Sequence, residues 1–384
     1  MNILMIPSWY KNQNNQIKGS FFREQALMFQ KRGHNVYIVY VELHSASEKI
    51  NNRIETYNDC GLYTLIYHTH SYGYARNMIV YKNVMHIMYK NLVKRVLDVC
   101  GSIDIIQAHS FMPAGIVACG IGKKYHIPVI TTEHSSKVHT MKLDAIERKY
   151  LHQTVTESNR FVCVSESLKN SVQEVCGNKT HIIVIPNNLS SDFTYKPQLK
   201  RRTFQFVCAG NLIEEKRQIF LVDCFSKAFP YEDVSLIIAG IGKLRPILER
   251  QISKLNEEKR IQLIGLVPRE EMPILLNESS AFVLLSTNET FGVSYIEALA
   301  CGCPIIATKN GGANEIVTTD NGILVNVDDE KETIDALRYV FYHYYQYDLE
   351  NISKLSQIKY GEEAIYERTL LLYLDVIKEY LDNQ

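Results

Sequence analysis

Two carboxylates eight positions apart, Glu289 and Glu297, bracket the string Glu289-Thr290-Phe291-Gly292-Val293-Ser294-Tyr295-Ile296-Glu297. The string follows an apolar run, Ala281 to Leu285, that reads as a buried strand, and it opens a stretch with helical spacing. A carboxylate is a strong, oriented acceptor for hydroxyl groups. Gly292 lets the backbone approach a ligand closely, and the free amides of a helix start suit a phosphate. Glu289 in the loop and Glu297 in the helix can therefore hold the hydroxyls of two sugar rings, with a phosphate contact between them. Acid at a helix start also serves the helix dipole, which accounts weakly for Glu289 and not for the rest of the string.

Further glycines and charged residues stand at the ends of other apolar runs. Gly210-Asn211-Leu212-Ile213-Glu214-Glu215-Lys216 follows Phe204 to Ala209. Ala239-Gly240-Ile241-Gly242 precedes Arg245 and Leu248-Glu249, and Leu263 to Val267, Gly311-Gly312-Ala313-Asn314-Glu315 and Asn321-Gly322 come after it. The pair Gly240 and Gly242 lacks the third glycine of a dinucleotide fingerprint and the acidic residue about 20 positions on, which argues against an oxidoreductase. No P-loop, HExxH or GxSxG occurs. Cys301-Gly302-Cys303 has no second cysteine pair or histidine nearby, so it reads as small residues at a tight turn rather than a zinc site.

The Glu289–Glu297 string resembles the E-x7-E signature of glycosyltransferase family 4, whose fold is the GT-B type of two Rossmann-like domains. In the family's order, the Gly210–Lys216 element resembles GRLxxxKG, the Ala239–Glu249 element resembles GxGxxRxxLE, Leu263–Val267 resembles FxGxV, and Gly311–Glu315 resembles GGxxE. The resemblance implies that Glu289 contacts the transferred sugar and that Glu297 binds ribose hydroxyls. It places the backbone at Phe291, Gly292 and Val293 on sugar and pyrophosphate. Lys216 pairs with the pyrophosphate, the base lies near Leu266 and Val267, and Arg245 stands at the edge of that pocket. The family usually has Arg where this chain has Asn211, so half of the cationic clamp on the diphosphate is missing, and Arg and Lys are not equivalent for phosphate. Lys216 then carries more of the charge, or Arg217 or a helix N-terminus helps.

The first half matches more loosely. Pro7-Ser8-Trp9-Tyr10 ends the first strand, and after a polar loop Gly19-Ser20-Phe21-Phe22-Arg23-Glu24-Gln25 resembles the family's GxFxxEQ, whose glycine touches donor phosphate and acceptor. Ser20 is a plausible N-cap, and a glycine before a helix is commonly just a turn. Thr132-Glu133-His134-Ser135 resembles the family's T-x-H, where the histidine lies near the transferred sugar; a lone histidine is more often structural. His109 also ends a strand, with packing an equal alternative. Val164-Ser165-Glu166-Ser167 reads as a strand-to-helix cap.

The implied reaction is a front-side displacement with retention, moving a hexosyl or N-acetylhexosaminyl group from a UDP-sugar, or a GDP-sugar, to a glycan, lipid-linked or other glycoconjugate acceptor. Lys216, Glu289 and His134 are the expected catalytic residues. Lys216 and the amides near Gly292 and Gly19 stabilise the leaving diphosphate, whose oxygen takes the acceptor proton. No DxD pair is apparent, so no cofactor and no metal are expected. The alternatives are a nucleotide-sugar 2-epimerase of the same fold and a non-catalytic sugar-binding subunit.

These residues need elements to position them. In 384 residues, apolar β-branched runs alternate with amphipathic stretches, which predicts parallel sheets covered on both faces. Runs at Asn2–Ile6, Val36–Val41, Ile103–Ala108, Pro128–Thr132, Arg160–Val164 and Ile182–Ile185 make one α/β doubly wound domain. Runs at Phe204–Ala209, Ser235–Ala239, Ile261–Ile264, Ala281–Leu285, Pro304–Ala307 and Gly322–Val325 make a second. Pro186-Asn187-Asn188 and the polar stretch Ser190 to Arg202 mark the boundary. The expected domains are residues 1–190 for the acceptor and 191–364 for the nucleotide sugar, facing across a cleft. The last ~25 residues, with Ile365, Leu370, Leu371, Tyr373, Leu374, Ile377 and Tyr380 near helical spacing, are expected to pack back on the first domain.

Residues 1–190 hold 21 Lys/Arg against 13 Asp/Glu, and the remainder 21 against 29. The basic half can meet an anionic acceptor or membrane surface, or carry its charge on scattered solvated faces. The basic amphipathic stretch Tyr74–Leu97 fits a peripheral membrane contact or a buried helix with a solvated face. Nucleic acid is not an expected partner. Absence of a signal peptide and of a membrane-length apolar stretch predicts a cytoplasmic chain with reduced cysteines. The Asn-, Ile- and Lys-rich composition suggests an AT-rich bacterial genome and surface polysaccharide assembly. Acceptor choice is expected in first-half loops, including Lys11–Lys18 and Lys137–Lys142.

Overall fold

The computed structural model describes residues 1–11, 18–45, 47–71, 78–177 and 181–383, with the side chains of 78 and 79 left aside. The chain divides into two compact units, Met1–Asn188 with Ile365–Gln384, and Leu189–Ala364.

The first unit is built on eight strands: β1 (Asn2–Pro7), β2 (Asn35–His44), β3 (Arg53–Asp59), β4 (Leu62–His70), β5 (Ile105–His109), β6 (Val129–Glu133), β7 (Arg160–Cys163) and β8 (Ile182–Val184). They lie in the order β3-β4-β2-β1-β5-β6-β7-β8. Strands β1, β5 and β6 are buried along almost their whole length, because helices cover both faces of a parallel sheet, and β5 and β6 carry buried polar side chains at Gln107, His109, Thr131, Thr132 and Glu133. The expectation of parallel strands throughout fails at the edge. β3 pairs with β4 antiparallel, joined by the two-residue turn Cys60-Gly61. Both turn residues have positive φ, 55° and 94°, the backbone that a two-residue hairpin of right-handed twist requires. β3 escaped notice because an edge strand, RIETYND, is half-solvated and lacks an apolar run.

The helix Glu362–Asp382 adds Ile365, Leu372, Tyr373 and Val376 to the core formed by Ile3, Phe29, Ile38 and Ile105. The Tyr373 ring stacks on Phe29 at 5.1 Å, and its hydroxyl donates to Gln107 Oε1 at 2.9 Å. The buried face differs from the expected one, for Leu371 and Leu374 are exposed and Leu372, Thr369 and Val376 point inward. The helix Met78–Cys100 likewise buries Met85, Tyr89, Leu92, Val93 and Val96 and exposes Lys94 and Arg95. Residues 74–77 of that stretch, with Arg76, and most of the loop Lys11–Lys18 lie outside the described residues. Lys137–Lys142 is a loop only in part, since Ser136–His139 forms a short helix and Lys137 pairs with Glu147.

The second unit has six parallel strands: β9 (Phe204–Ala209), β10 (Val234–Ala239), β11 (Ile261–Gly265), β12 (Ala281–Leu284), β13 (Ile305–Thr308) and β14 (Gly322–Val325). Their order is β11-β10-β9-β12-β13-β14. Counted within the unit this is 3-2-1-4-5-6, the Rossmann order, in which ligands bind outside the carboxyl ends where the order reverses. That point lies between β9 and β12. Cys301 and Cys303 are buried in the turn that leaves the helix Val293–Ala300, with Gly302 at φ 71°. The nine cysteines are free thiols. Among the described residues no helix is long and apolar enough to cross a membrane.

Candidate active site

The loops after β9 and β12 flank the reversal point and are tied to each other. Thr287 N–H donates to Glu215 O at 2.8 Å. Lys216 ends a single 3₁₀ turn, Glu214–Lys216, and its stem passes 3.8 Å from where a Cβ on Gly210 would stand. Its ammonium pairs with the Glu289 carboxylate, both groups being largely buried. The two residues assigned to pyrophosphate and sugar are thus in direct contact, 73 positions apart in sequence.

Glu289 is held by backbone. Its N–H donates to Asn310 O at 3.1 Å, and its carbonyl accepts from Gly312 N–H at 2.9 Å. A side chain at Gly312 would meet Phe291 O at 2.2 Å, so the glycine pair after β13 is what lets the two loops touch. Gly292 caps the helix Val293–Ala300 with φ 94°, and no side chain caps that helix start. A Cβ at Gly292 would fall 2.3 Å from the Tyr295 ring. Tyr295 is buried, donates to Leu284 O at 3.3 Å and accepts from Asn310 Nδ2 at 3.0 Å. The Phe291 side chain is buried, its ring 5.7 Å from that of Tyr360.

Glu297 lies one turn into the helix and is 5% exposed. Its carboxylate forms an ion pair with Arg269 at 2.6 Å, and the Arg269 guanidinium lies 4.5 Å over the Phe193 ring. Arg269 was not among the expected site residues. It follows the FxGxV-like strand by two positions, which is the only signal the sequence carried. Arg245 starts the helix Arg245–Lys254, pairs with Glu249 at 2.8 Å and donates to Leu263 O at 3.3 Å. It stands beside Gly265, next to the exposed Leu266 and half-buried Val267. Asn211 is exposed, and its carbonyl accepts from Gln218. Arg217 is engaged with Asp328 at 2.6 Å.

Gly240 and Gly242 prove to be packing glycines between loops. A Cβ at Gly240 would lie 1.9 Å from Gly210 O, and one at Gly242 2.3 Å from Leu212 O. Gly210 N–H donates to Ala239 O at 3.0 Å, and Leu212 N–H to Ile241 O at 2.9 Å. The backbone of the Lys216 loop is seated on the loop after β10.

In the first unit the reversal point lies between β1 and β5. Gly19, not Ser20, is the N-cap residue of the helix Ser20–Gln30, with φ 74°, and a Cβ there would meet Trp9 O at 2.9 Å. His109 ends β5, and His134 follows β6. His109 Nδ1 and His134 Nε2 are 3.1 Å apart, and Phe21 and Phe22 cover His134 at 5.1 Å. The loop is folded by Glu133, whose buried carboxylate accepts N–H bonds from Phe111, His134 and Ser135 at 2.7, 3.0 and 2.7 Å. Ser165 caps the helix Glu166–Cys176 by accepting from Leu168 N–H at 3.1 Å.

Burial drives the His109 pKa down to about 3 and holds His134 well below its ordinary value, with His109 adding to the effect. Both imidazoles are therefore neutral at pH 7, and His134 can offer a hydrogen bond but no charge. The unfolded chain, with histidine near 6.5, binds more protons between about pH 6.5 and 3, so stability falls as pH drops through that window. Urea midpoints measured from pH 7 to 4.5 should fall less steeply for His109→Gln than for the wild type; equal slopes would contradict this assignment.

Two parallel α/β units carrying such strand-end constellations define a GT-B glycosyltransferase. The family described as Glycosyltransferase Family 4 matches residues 19–192, and the one described as Glycosyl transferases group 1 matches residues 192–348. The two matches together span residues 19–348, and the chain is a glycosyltransferase of the GT-B fold. It is similar to an uncharacterized glycosyltransferase of Methanocaldococcus jannaschii, 29% identical over 314 residues that cover 78% of this chain and 84% of the other. It is 24% identical to one component of the human phosphatidylinositol N-acetylglucosaminyltransferase over 89% of this chain and 76% of that one. HepE of Anabaena, solved in complex with UDP, superposes with a TM-score of 0.75 at 16% identity, over 98% of this chain and all of the other.

Proposed function

We propose that this glycosyltransferase transfers a hexosyl or N-acetylhexosaminyl group from a UDP-sugar, with retention, to a glycan or lipid-linked acceptor in bacterial surface polysaccharide assembly. The observation that carries the reading is the Lys216–Glu289 pair at the strand-order reversal of a Rossmann sheet. A cation and a hydroxyl acceptor there match the two parts of a nucleotide sugar nearest the bond that breaks. Lys216 balances the charge that grows on the departing diphosphate, together with the uncapped helix start at Gly292. Glu289 orients the sugar, and Glu297, fixed by Arg269, accepts the ribose hydroxyls. The first unit, with Gly19 at a helix start and His134 at a strand end, takes the acceptor. HepE, a fold relative solved with UDP, and the human relative named for N-acetylglucosamine transfer support UDP-N-acetylglucosamine as the first donor to try. An anionic membrane surface beside the basic first half would present a lipid-linked acceptor.

A thermal-shift screen tests the donor, since a ligand raises stability as RT ln(1 + [L]/Kd). UDP and UDP-sugars should raise Tm more than GDP and GDP-sugars; the reverse order would overturn the UDP assignment. No Mg2+ or Mn2+ is needed in this reading, so supplementing metal-stripped enzyme with either should leave turnover unchanged, and restoration by one of them would contradict it.

The exposed Asn211 beside Lys216 leaves room for a second cation. Asn211→Arg is expected to tighten UDP binding about tenfold, through a charge-assisted contact to the diphosphate. Calorimetric titration reads this directly, and unchanged affinity would place the side chain of residue 211 away from the phosphates.

A further inference from the structure

We propose that the first unit holds a divalent transition-metal ion of the zinc class on Glu42, His44 and His68, residues that the transfer reaction does not use. The strand register brings them together. Glu42 lies opposite His68 in the parallel pair β2–β4, and His44, two positions on from Glu42, shares its face. The antiparallel β3 sets Arg53 opposite His68, so Glu55 joins the same face.

The hydrogen bonds around the cluster specify its protons. His44 Nδ1 is 2.9 Å from Glu48 Oε2, and His68 Nε2 is 3.0 Å from Glu55 Oε2. An ionised carboxylate only accepts, so the tautomer that donates to the glutamate leaves each ring's other nitrogen as a lone pair. The remaining ring nitrogens, His44 Nε2 and His68 Nδ1, then face each other as lone pairs 3.0 Å apart. The Glu42 carboxylate oxygen stands 3.6 Å from the first and 3.2 Å from the second. Three possible ligand atoms thus converge within 4.8 Å of one another. Zinc bonds of about 2.0–2.2 Å to nitrogen and oxygen place tetrahedral ligand atoms about 3.3–3.6 Å apart, close to these three spacings. Imidazoles whose second nitrogen is held by a carboxylate are the arrangement that orients histidine ligands on metals, and two imidazoles select a transition ion over Mg2+ or Ca2+.

Arg53 stands 3.6 Å from Glu55. The cluster borders a cavity of about 930 Å3 lined also by Lys11, Arg53 and Tyr57, which leaves the fourth coordination position to a solvent or anionic oxygen.

The test uses full-length, tag-free protein stripped of metal by chelator dialysis. Zn2+ is titrated against a chromophoric chelator, and Co2+ serves as the spectroscopic probe. One equivalent of Zn2+ should bind. His44→Ala and His68→Ala should each weaken it about 100-fold or more, and Glu55→Gln, which keeps all three ligands, about 10–100-fold. The cobalt form should show the visible bands of four-coordinate cobalt without a sulfur charge-transfer band, which separates this cluster from the free cysteines. Melting in chelator checks that each variant folds, and Glu55→Gln, at a half-exposed position, carries the test if a histidine variant does not. No stoichiometric Zn2+ binding, affinity unchanged in the variants, or a sulfur charge-transfer band would overturn the proposal.

Discussion

Lys216→Met is expected to lower kcat/KM for donor turnover, read as UDP release, by about 10³-fold, the scale of losing a group aimed at developing charge. Methionine keeps the stem that passes Gly210 and removes only the ammonium. With Asn211 at the neighbouring position and Arg217 committed to Asp328, no second cation of that loop replaces it. The folded state loses less. The Lys216–Glu289 pair keeps about a fifth and a seventh of its side-chain surface in solvent, and removing the ammonium leaves the Glu289 carboxylate without its cation, at a cost of about 1–3 kcal/mol. Lys216→Arg should recover part of the rate, because it restores charge but not the compact ammonium. A loss below about tenfold in Lys216→Met would remove Lys216 from the chemistry.

The largest expected effect on stability comes from Gly240→Ala. The new Cβ would sit 1.9 Å from Gly210 O, at φ 153°, so the Lys216 loop must move off the loop after β10. Strain and overpacking together should cost about 2–5 kcal/mol, and donor turnover should fall with it because Lys216 is carried on the displaced loop. Gly33→Ala isolates the backbone part of that cost. Gly33 has φ 82° and nothing within 4 Å of an added Cβ, so it should cost only about 1–2 kcal/mol and leave turnover intact. Denaturant melts of both variants check the difference, and equal costs would show that the close approach at Gly240 contributes nothing.

What the sequence revealed depends on how local each feature is. All six strands of the second unit were legible: β9, β10, β12 and β13 because a strand buried on both faces must be an apolar run, and the edge strands β11 and β14 because they are largely apolar although only partly buried. β3 and β4 were not: β3 lies at the edge and carries charged residues, β4, though paired on both sides, has Thr, Tyr and His where an apolar run would show, and Cys60-Gly61 is not an obvious hairpin turn. The same two strands and β2 deliver Glu42, His44, His68 and Glu55 to one face, a constellation that exists only through strand register. Within the site, Glu289, Glu297, Gly292 and Lys216 were visible as motif positions. Their partners were not. Arg269 meets Glu297 across 28 positions, and Lys216 meets Glu289 across 73, distances over which a single sequence gives no pairing rule. Gly240, Gly242 and Gly312 were legible only as motif positions, and the structure gives them their task, the contact of one loop backbone with another. The terminal helix was recognised, but its buried face was misplaced, because leucines stand on both sides of it.

The anomeric configuration of the first sugar released tests the central claim most directly. With UDP-N-acetylglucosamine, whose sugar is α-linked, proton NMR of the early product should show the α-anomer, whether the sugar passes to an acceptor or to water. Lys216→Met should slow its appearance without changing its configuration. A β-anomer as first product would contradict front-side displacement and the roles assigned to Lys216 and Glu289.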